Sequence, residues 1–531
     1  MQENPSVNKY VLAIDLGSGG PKVGLVDQQG TVKASGFSHT TLYFLPNGGV
    51  EQNPNDWWQA ISTTAKKVIQ QSGVSPEEIV AVAVTSQWSV IVAVDEQGEA
   101  LMNAISWLDT RGAPYNRQLA QGFPNIEGYQ LYKLIKCINL AGGPPTLSGV
   151  DSMGHILFIK NEKPDIYRKT YKFLEPLDYI NLRLTGKFAA TQNSVFAYLM
   201  TDNRKLDQDH WDPWLLKMTG IDEAKLPDIL PLTGILGPVL PSIAAEWGLS
   251  PLTQVVMGAN DNSTSAIGAG AIIDFEAAAV MGTSGHLAMH LPFKKTDVIH
   301  SITTMPSALK GRYLFYGDLG NTGKVLDSYL NNFVYAPDAF SCGDPKQDKY
   351  ALASQMAADV PAGSEGVLFL PWLNGSYSPS EDLTARGAFL NLSNKSNRAH
   401  MTRAVFEGIA MNWRWLRDPV EKLIGRKFEY WRLTGGGALS DVWAQIMADV
   451  VGLPMHRQAD PRNNNIFGVA FLAFHNLGLV ELEDIPKRIK FSQIFEPQEK
   501  NRPVYDRLYK QFQASFKNLK PITHALNQRG S

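Results

Sequence analysis

Residues 11–26 read VLAIDLGSGGPKVGLV, in which an apolar segment runs into a glycine-rich turn and a second apolar segment leaves it. A further turn follows at residues 27–30, so the pattern predicts a β-hairpin. A related pattern recurs in the second half of the chain, where residues 277–289 read AAAVMGTSGHLAM. Because each hairpin needs a sheet and covering helices to bury its apolar residues, the repetition predicts an α/β fold with a sheet in each half.

Further elements are predicted around these hairpins. Residues 79–84, IVAVAV, form a continuous apolar run that is typical of a strand buried on both faces. Helices are predicted over residues 56–71 and 440–451, and Gly452 suits the end of the second helix. We place the domain boundary in the turn at residues 251–254. The predicted units are an N-terminal domain over residues 8–254, a C-terminal domain over residues 255–485, and a terminal helix and tail over residues 486–531.

The composition excludes several classes of function. The 531 residues include 49 basic and 51 acidic side chains, and the net charge of -2 gives no broad electrostatic footprint for nucleic acid or an anionic membrane. No stretch approaches the roughly 20 apolar residues that span a bilayer, and the polar start has no export signal. Cys137 and Cys342 are far apart, which predicts neither a disulfide framework nor a thiolate zinc site. A cytoplasmic protein with a small-molecule partner fits these features best.

The two glycine-rich turns are candidate phosphate sites. A turn of this kind brings several backbone N–H groups into one concavity without obstruction by side chains, which suits a nucleotide phosphate. The candidates are Gly17–Gly20 and Gly282–Gly285, although each turn alone has a purely structural alternative. Asp15 ends the strand before the first turn and either holds a hydrated Mg²⁺ or caps the turn. Lys22 follows this turn and offers a point charge to phosphate.

A candidate catalytic residue follows another strand. Residues 255–262 read VVMGANDN and lead into a segment of small residues that is predicted to be helical. Asp261 is therefore either the N-cap of this helix or a general base for an attacking hydroxyl. Near the C-terminus, residues 433–440 read LTGGGALS, and three consecutive glycines leave bare backbone that suits a flat ligand such as adenine. Gly320–Gly323 is a second small-residue segment for the nucleotide.

The sequence contains no Walker-type, Rossmann, zinc-protease or hydrolase-triad motif in its required setting. Taken together, its motifs resemble those of the FGGY carbohydrate kinase family, most closely the xylulokinase-like branch, within the actin-like ATPase superfamily. The resemblance covers nearly the whole chain. The segments that carry it are IDLGS at 14–18 with Lys22, EQNP at 51–54 with WW at 57–58, WLDTR at 107–111, PLDY and RLTG within 176–186, GANDN at 258–262, GTSG at 282–285, ARGAF at 385–389, AVFEGIA at 404–410 and TGGGALS at 434–440.

This resemblance implies two actin-like, ribonuclease H-like ATPase domains around a central cleft. It implies phosphorylation of a hydroxyl of a small sugar or polyol, most closely a pentulose such as xylulose, with ATP and Mg²⁺. Asp261 would be the catalytic base, and Asp15 would position the metal through water. The implied substrate residues are Gln87, Trp88, Ser89, Asp109, Arg111, Asp261 and Asn262. The implied nucleotide residues are Gly17, Ser18, Gly19, Lys22, Gly282, Thr283, Ser284, Gly320, Gly323, Gly435, Gly436, Gly437 and Ser440.

The chain departs from the family pattern at the expected sugar wall. Trp88 and Ser89 stand where xylulokinases typically have methionine and histidine, and residues 374–379 replace a Ser-Gly-Glu-Arg-x-Pro segment. The identity of the sugar therefore stays open. For Asp109 and Arg111, the alternative to binding the substrate is a structural ion pair. Two other functions also stay open: a non-catalytic sugar or nucleotide sensor, and an ATPase that acts on a protein. The oligomeric state is undetermined, with a homodimer as one alternative.

Overall fold

The computed structural model describes residues 8–339 and 341–527. The N-terminal sheet has six strands: β1 (Tyr10–Gly17), β2 (Gly20–Asp27), β3 (Val32–Phe37), β4 (Ile79–Ser86), β5 (Ile235–Pro238) and β6 (Gln254–Asn260). They are arranged in the order β5-β6-β4-β1-β2-β3. Strands β1 and β2 form the predicted antiparallel hairpin, while β4 runs parallel to both β1 and β6.

The C-terminal sheet repeats this plan. Its seven strands are β7 (Ala277–Met281), β8 (Ser284–Leu291), β9 (Thr303–Pro306), β10 (Tyr313–Asn321), β11 (Trp431–Thr434), β12 (Met455–Gln458) and β13 (Phe491–Phe495), in the order β9-β10-β8-β7-β11-β12-β13. The hairpin β7–β8 lies beside the parallel strand β11, as the hairpin β1–β2 lies beside β4. The prediction of two related sheet domains is therefore confirmed.

Many helices contribute buried apolar residues to the cores of the two domains, among them α1 (Pro54–Ser72), α2 (Asp261–Gly268), α3 (Arg398–Ile424), α4 (Asp441–Val451), α5 (Asn464–Asn476) and α6 (Arg502–Asn527). The predicted helices correspond to α1 and α4, and Gly452 ends α4 with a left-handed φ of 74°. The remaining helices are Ala113–Ala120, Leu131–Ala141, Ser152–Glu162, Pro164–Lys169, Pro176–Thr185, Pro213–Thr219, Pro241–Trp247, Gly323–Tyr329, Lys349–Ala358 and Ile485–Arg488. Short strand pairs and one three-stranded sheet involve Tyr43–Phe44, Val50–Gln52, Val92–Val94, Ala104–Ile105, Asn125–Ile126, Tyr129–Gln130, Lys172–Leu174, Ala189–Thr191, Asp228–Leu230, Pro337–Asp338, Ser341–Cys342, Leu368–Leu370 and Ala388–Leu390.

The predicted domain boundary at residue 254 is wrong. Strand β6 pairs with β4 inside the N-terminal sheet, and its residues Val255, Val256 and Met257 are fully buried there. The chain then leaves this sheet through α2, and the C-terminal sheet begins only at Ala277. The catalytic aspartate predicted for the C-terminal domain therefore follows a strand of the N-terminal sheet.

The segment predicted as a terminal helix and tail completes the C-terminal domain. Strand β13 lies at the edge of the sheet, antiparallel to β12, which the polar sequence did not indicate. The predicted helix is α6, which buries Tyr505 and Phe512 in the C-terminal core. The end of the predicted tail, residues 528–531, lies outside the described part of the chain. Of the two cysteines, Cys137 is a buried free thiol, and the side chain of Cys342 lies outside the described part. Within the described ranges, no helix is long and apolar enough to cross a membrane.

Helices α2 and α5 touch backbone to backbone. A Cβ atom on Gly268 would lie 1.9 Å from the carbonyl oxygen of Asn464, and one on Gly468 would lie 1.9 Å from that of Thr264. The amide of Asn464 also donates to the carbonyl of Ser265, at 2.9 Å. Since α5 packs on β1 and β4 as well, these contacts fix α2, and with it Asp261, against the N-terminal sheet.

We expect Gly468→Ala to destabilise the protein. Alanine normally favours a helix over glycine by about 1 kcal/mol, but here the new Cβ would push the two helices apart, and overpacking costs about 1–3 kcal/mol. Thermal unfolding monitored by circular dichroism should show a lower Tm. The matched control is Gly143→Ala, where a Cβ would meet no atom within 4 Å. An unchanged or raised Tm for Gly468→Ala would contradict the close contact.

Candidate active site

The carboxylates of Asp15 and Asp261 lie at the same edge of the N-terminal sheet. Asp15 is in register with Thr85 of β4, and Asn260, directly before Asp261, is in register with Ser86. Because β1, β4 and β6 are parallel, the two aspartates flank the carboxyl end of one central strand. In open α/β sheets this is the position at which ligands bind.

The two carboxylates also affect each other electrostatically. Loss of solvent raises the pKa of Asp261 to about 8, and the negative charge of Asp15 contributes to this increase. Burial raises the pKa of Asp15 to about 6, against the opposing effects of Lys22 and of a hydrogen bond with Asn465. Like charges in a water-poor site push pKa values apart in this way, which is typical of paired acids and bases in enzymes.

Asp261 is not the N-cap of its helix. The side chain of Asn260 caps α2 by accepting a hydrogen bond from the backbone N–H of Ser263, at 3.0 Å. Among the described atoms, Oδ1 of Asp261 and Nδ2 of Asn262 are buried without a hydrogen-bond partner. Both groups are therefore available to a ligand.

Asn193 positions this turn, although sequence analysis gave no sign of it. Its Oδ1 accepts from the backbone N–H of Asn260 at 3.0 Å, and its Nδ2 donates to the hydroxyl of Ser263 at 2.8 Å. Asn193 is fully buried and lies 67 residues before Asn260 in the chain. Only the folded structure brings the two segments together.

The first glycine turn is connected to the expected sugar wall. Ser18 donates to Oε1 of Gln87 at 2.6 Å, and Nε2 of Gln87 donates to Oε1 of Gln52 at 2.7 Å. The indole of Trp107 donates to the hydroxyl of Ser18 at 3.0 Å. Ser18 and Gln87, which were predicted to bind different ligands, are thus bonded to each other.

Backbone geometry sets the shape of the first turn. Gly20 has a φ of 129°, and a Cβ there would lie 2.0 Å from the carbonyl oxygen of Ser38, whereas Gly17 and Gly19 leave open space. The ammonium of Lys22 donates to the carbonyl of Arg462 beside Asp15. The turn therefore has room for a ligand, but the Lys22 charge is partly engaged by the protein.

Trp88 stands where the two domains meet. Its ring lies 6.0 Å from that of Phe196 and 6.2 Å from that of Tyr316, which belongs to β10. Ser89 has a φ of 60°, and its hydroxyl donates to the carbonyl of Val150 at 2.6 Å. Trp88 therefore packs against aromatic side chains of both domains and stays partly exposed.

Glu175 holds the turn that follows Trp88, a role that sequence analysis missed. Its carboxylate accepts from the backbone N–H of Val90 at 3.0 Å and from the hydroxyl of Ser152 at 2.5 Å. Burial raises the pKa of Glu175 well above its usual range. A carboxyl group placed here ties the backbone of this turn to the helix that contains Ser152.

Asp109 and Arg111 form a paired network. The guanidinium of Arg111 lies 2.7 Å from carboxylate oxygens of both Asp109 and Glu51, and Asp109 also accepts from the backbone N–H of Val50 at 2.8 Å. Asp109 is fully buried. This geometry favours the structural ion pair, and contact of these two residues with a sugar stays a prediction.

The predicted nucleotide segments of the C-terminal domain come together at the second glycine turn. Thr283 and Ser284 are exposed at its tip, and the carbonyl of Gly282 accepts from the backbone N–H of Gly323 at 2.9 Å. Gly320 has a φ of 66° and lies against the ring of Tyr377. The Gly320–Gly323 segment is therefore directly attached to the second turn.

The three consecutive glycines pack against the same turn. Gly435 has a φ of 89°, and a Cβ there would lie 2.6 Å from the backbone of Met281, while Gly436 faces open space. Ser440 is the N-cap of α4, accepting from the N–H of Trp443 at 3.1 Å, and its hydroxyl lies 2.8 Å from that of Ser354. Its hydroxyl is thus occupied within the protein.

The comparisons with known proteins agree with this geometry. The family model for the N-terminal domain of the FGGY family of carbohydrate kinases matches residues 10–268, and the model for the C-terminal domain matches residues 277–477. The chain belongs to the FGGY family of carbohydrate kinases. The gap between the two matches agrees with the boundary seen in the structure rather than with the one predicted from sequence.

Relatives of this FGGY chain have more than one substrate in their names. The xylulose kinase of Bacillus subtilis (strain 168) is 27% identical over 522 residues, 98% of this chain and 99% of that protein. The gluconokinase of the same organism is 27% identical, over 84% of this chain and 83% of that protein. The crystal structure of ligand-bound xylulose kinase from Lactobacillus acidophilus has a TM-score of 0.83 and 25% identity, over 96% of this chain and 98% of that one.

The raised pKa of Asp261 predicts a pH dependence of stability. A carboxyl whose folded pKa is about 8, against 3.8 for the free group, stabilises the fold when protonated, and this contribution is lost as the pH rises from about 4 to about 8. We expect Asp261→Asn to abolish this pH-dependent loss of stability. The Tm of the variant should exceed that of the wild type by about 2 °C or more at pH 8.5, and by less at pH 6.

The measurement is differential scanning fluorimetry of the ligand-free protein across this pH range. Asp228→Asn, at an exposed carboxyl, is the control. Parallel Tm curves for the wild type and Asp261→Asn would contradict the raised pKa.

Proposed function

We propose that this FGGY kinase transfers the γ-phosphoryl group of ATP to a hydroxyl of a small sugar or polyol, with a pentulose such as xylulose, or a close relative of it, as the nearest candidate. The observation that carries the proposal is the Asp261 carboxyl, which is held beside Asp15 at the end of the sheet with Oδ1 buried and unpartnered. A carboxylate so placed is suited to accept the proton of an attacking hydroxyl.

The residues around the cleft fit ATP and Mg²⁺. The open first turn and the exposed Thr283 and Ser284 would hold phosphates, and the bare backbone at Gly436 would lie against the adenine. In the part of the chain that the structure describes, no group of three or more His, Cys, Asp or Glu side chains is arranged to hold a metal. This suits Mg²⁺, which keeps several waters and is held by one or two carboxylates plus phosphates, so Asp15 would position it through water. When bound, the ion neutralises phosphate charge.

The protein residues then have distinct roles. Asp261 takes the proton from the substrate hydroxyl as the oxygen attacks phosphorus, and it does so in its ionised form, which predominates above about pH 8 in the ligand-free protein. The raised pKa makes this carboxylate a stronger base than that of an ordinary aspartate. Asn260 and Asn193 fix the direction of the Asp261 side chain through the helix cap. Phosphoryl transfer needs little beyond position and charge neutralisation, and these contacts supply the position.

Two alternative functions predict different assay results. A non-catalytic sensor would bind a sugar or nucleotide without releasing ADP, and an ATPase acting on a protein would release ADP without any sugar. The free Oδ1 of Asp261 argues against the first alternative, because a pure binding site has no need of a buried unpaired carboxylate. A kinase would release ADP only when a ketose or polyol is added.

We expect Asp261→Asn to lower kcat by about 100-fold or more, the usual loss on removing a general base. The amide keeps the shape of the carboxyl but cannot accept the proton, so the KM for ATP should change little. ADP release at saturating sugar and ATP is the measurement, with Asp228→Asn as the matched control. Turnover within a few-fold of wild type would remove Asp261 from this role.

We expect Trp88→Ala to raise the KM for the sugar about tenfold or more, since one well-packed aromatic contact is worth roughly 1–3 kcal/mol. The KM for ATP should move little, and Trp88→Phe should recover part of the loss. We further expect D-xylulose to be a poor substrate, or one of several, when kcat/KM is profiled over xylulose, ribulose, erythrulose, xylitol, arabitol and erythritol. A clear preference for D-xylulose with the same profile in Trp88→Ala would refute this role for Trp88.

A further inference from the structure

One face of the C-terminal sheet forms a wall of the cleft. His286 of β8 and Asp318 of β10 lie directly opposite each other in the antiparallel register, and Tyr316 is on the same face, two residues before Asp318. The ring of Tyr316 lies 5.3 Å from that of His286 and 6.2 Å from that of Trp88. We call His286, Tyr316 and Asp318 the C-terminal wall.

This wall faces the catalytic carboxylate. The hydroxyl of Ser265, in the helix that begins with Asp261, lies 3.0 Å from Nε2 of His286. Burial raises the pKa of the Tyr316 hydroxyl well above its usual range, and the nearby carboxyl groups of Asp318 and Asp261 add to this increase. Asp318 and Asp261 are thus both close enough to the Tyr316 hydroxyl to affect it electrostatically.

Asp318 carries an anionic charge into this space. Its Oδ1 accepts from the backbone N–H of Gly320 at 2.7 Å, which fixes the carboxylate. Burial raises its pKa to about 6, so that it is mostly ionised at neutral pH and above. His286 does not offset this charge, because burial lowers its pKa to about 4 and leaves it neutral.

Arg111 and Lys22 do not neutralise the negative charge of Asp318 either. Arg111 is paired with Asp109 and Glu51, and Lys22 donates to a backbone carbonyl at the phosphate turn. Three groups add to the raised pKa of Tyr316 through their charge, namely Asp261, Asp318 and Tyr377. All three are acidic. Glu381 adds negative charge beside Asp318.

A neutral polyol and a sugar acid would meet this wall differently. A hydroxyl can donate a hydrogen bond to a carboxylate, whereas an ionised carboxylate is acceptor-only and is repelled. The repulsion is strong in a cleft with little water, because the effective dielectric constant is low. Asn262 adds a buried, unpartnered amide that suits a hydroxyl oxygen.

We propose that Asp318 is a specificity-determining residue that admits uncharged sugars and polyols as acceptors and repels sugar acids such as aldonates. This inference rests on the proposed kinase function and narrows its substrate class. The gluconokinase relative is named for a sugar acid, and at 27% identity that name alone does not decide the substrate of this chain. The proposed role of Asp318 would exclude a sugar acid as the acceptor.

The test uses acceptor pairs that differ only in one terminal group: xylitol with D-xylonate, and D-glucitol with D-gluconate. ADP release gives kcat/KM for each, and titration calorimetry gives Kd for the same compounds. We expect the wild type to favour the neutral member of each pair by about tenfold or more. Asp318→Asn keeps an acceptor for Gly320 and should lower that ratio at least about fivefold, through a gain with the sugar acid. Asp318→Glu keeps the charge and should preserve the ratio, as should Asp228→Asn.

The outcomes distinguish this inference from the kinase function. Preference of the wild type for a sugar acid, or the same ratio in Asp318→Asn as in the wild type, would overturn the role of Asp318 while leaving the kinase intact. Absence of ADP release with every acceptor would refute the kinase function instead. In that case the Kd ratios of the same pairs still decide whether Asp318 selects neutral ligands. If Asp318→Asn fails to fold, Asp318→Ser replaces it, because a serine hydroxyl also accepts a hydrogen bond and carries no charge.

Discussion

The repulsion between two poorly solvated carboxylates, Asp15 and Asp261, is the constraint around which the rest of the molecule is arranged. Such a pair is unfavourable for folding, because ionisation of one group opposes ionisation of the other in a site with little water. The surrounding contacts hold the pair in place: the Asn260 cap, the Asn193 bridge and the close contact of α2 with α5. The structure thus accepts a local loss of stability at two carboxyl groups whose pKa values are raised to about 6 and about 8.

The repeated hairpin gives the two domains equivalent glycine turns. Each sheet presents a glycine turn between its first antiparallel pair of strands, with a parallel strand beside it. The first turn is connected through Ser18 and Gln87 to the Trp88 side of the cleft, and the second is connected to Gly323 and to the glycines before α4. In the N-terminal domain the predicted phosphate turn is therefore bonded to a predicted acceptor residue, and in the C-terminal domain the predicted nucleotide segments contact one another. Such linkage suits a reaction that depends on alignment.

Much of this arrangement could be predicted from local sequence, and the rest could not for identifiable reasons. The hairpins, the ends of α4 and the position of Asp261 after a strand depend on short patterns of apolar residues and glycines. The membership of β6 in the N-terminal sheet depends on pairing with β4, far earlier in the chain, as the bond between Thr253 and Ile79 across 174 residues illustrates. Asn193, Glu175 and Asp318 lie outside the quoted motifs, although Glu175 and Asp318 are close to two of them, and their roles come from contacts that only the folded chain creates.

Helix α5 has a consequence for how the protein is made. Its apolar residues, with Ile466 and Phe471 among them, cover one face of the N-terminal sheet and complete a core with Val11 and Ala83. Asn464, which opens this helix, bonds to Ser265 across 199 residues of chain. The N-terminal half therefore cannot finish folding on the ribosome when its own last strand emerges. It remains a partly uncovered sheet throughout the synthesis of most of the second domain, and a chain truncated before residue 464 would keep that face exposed.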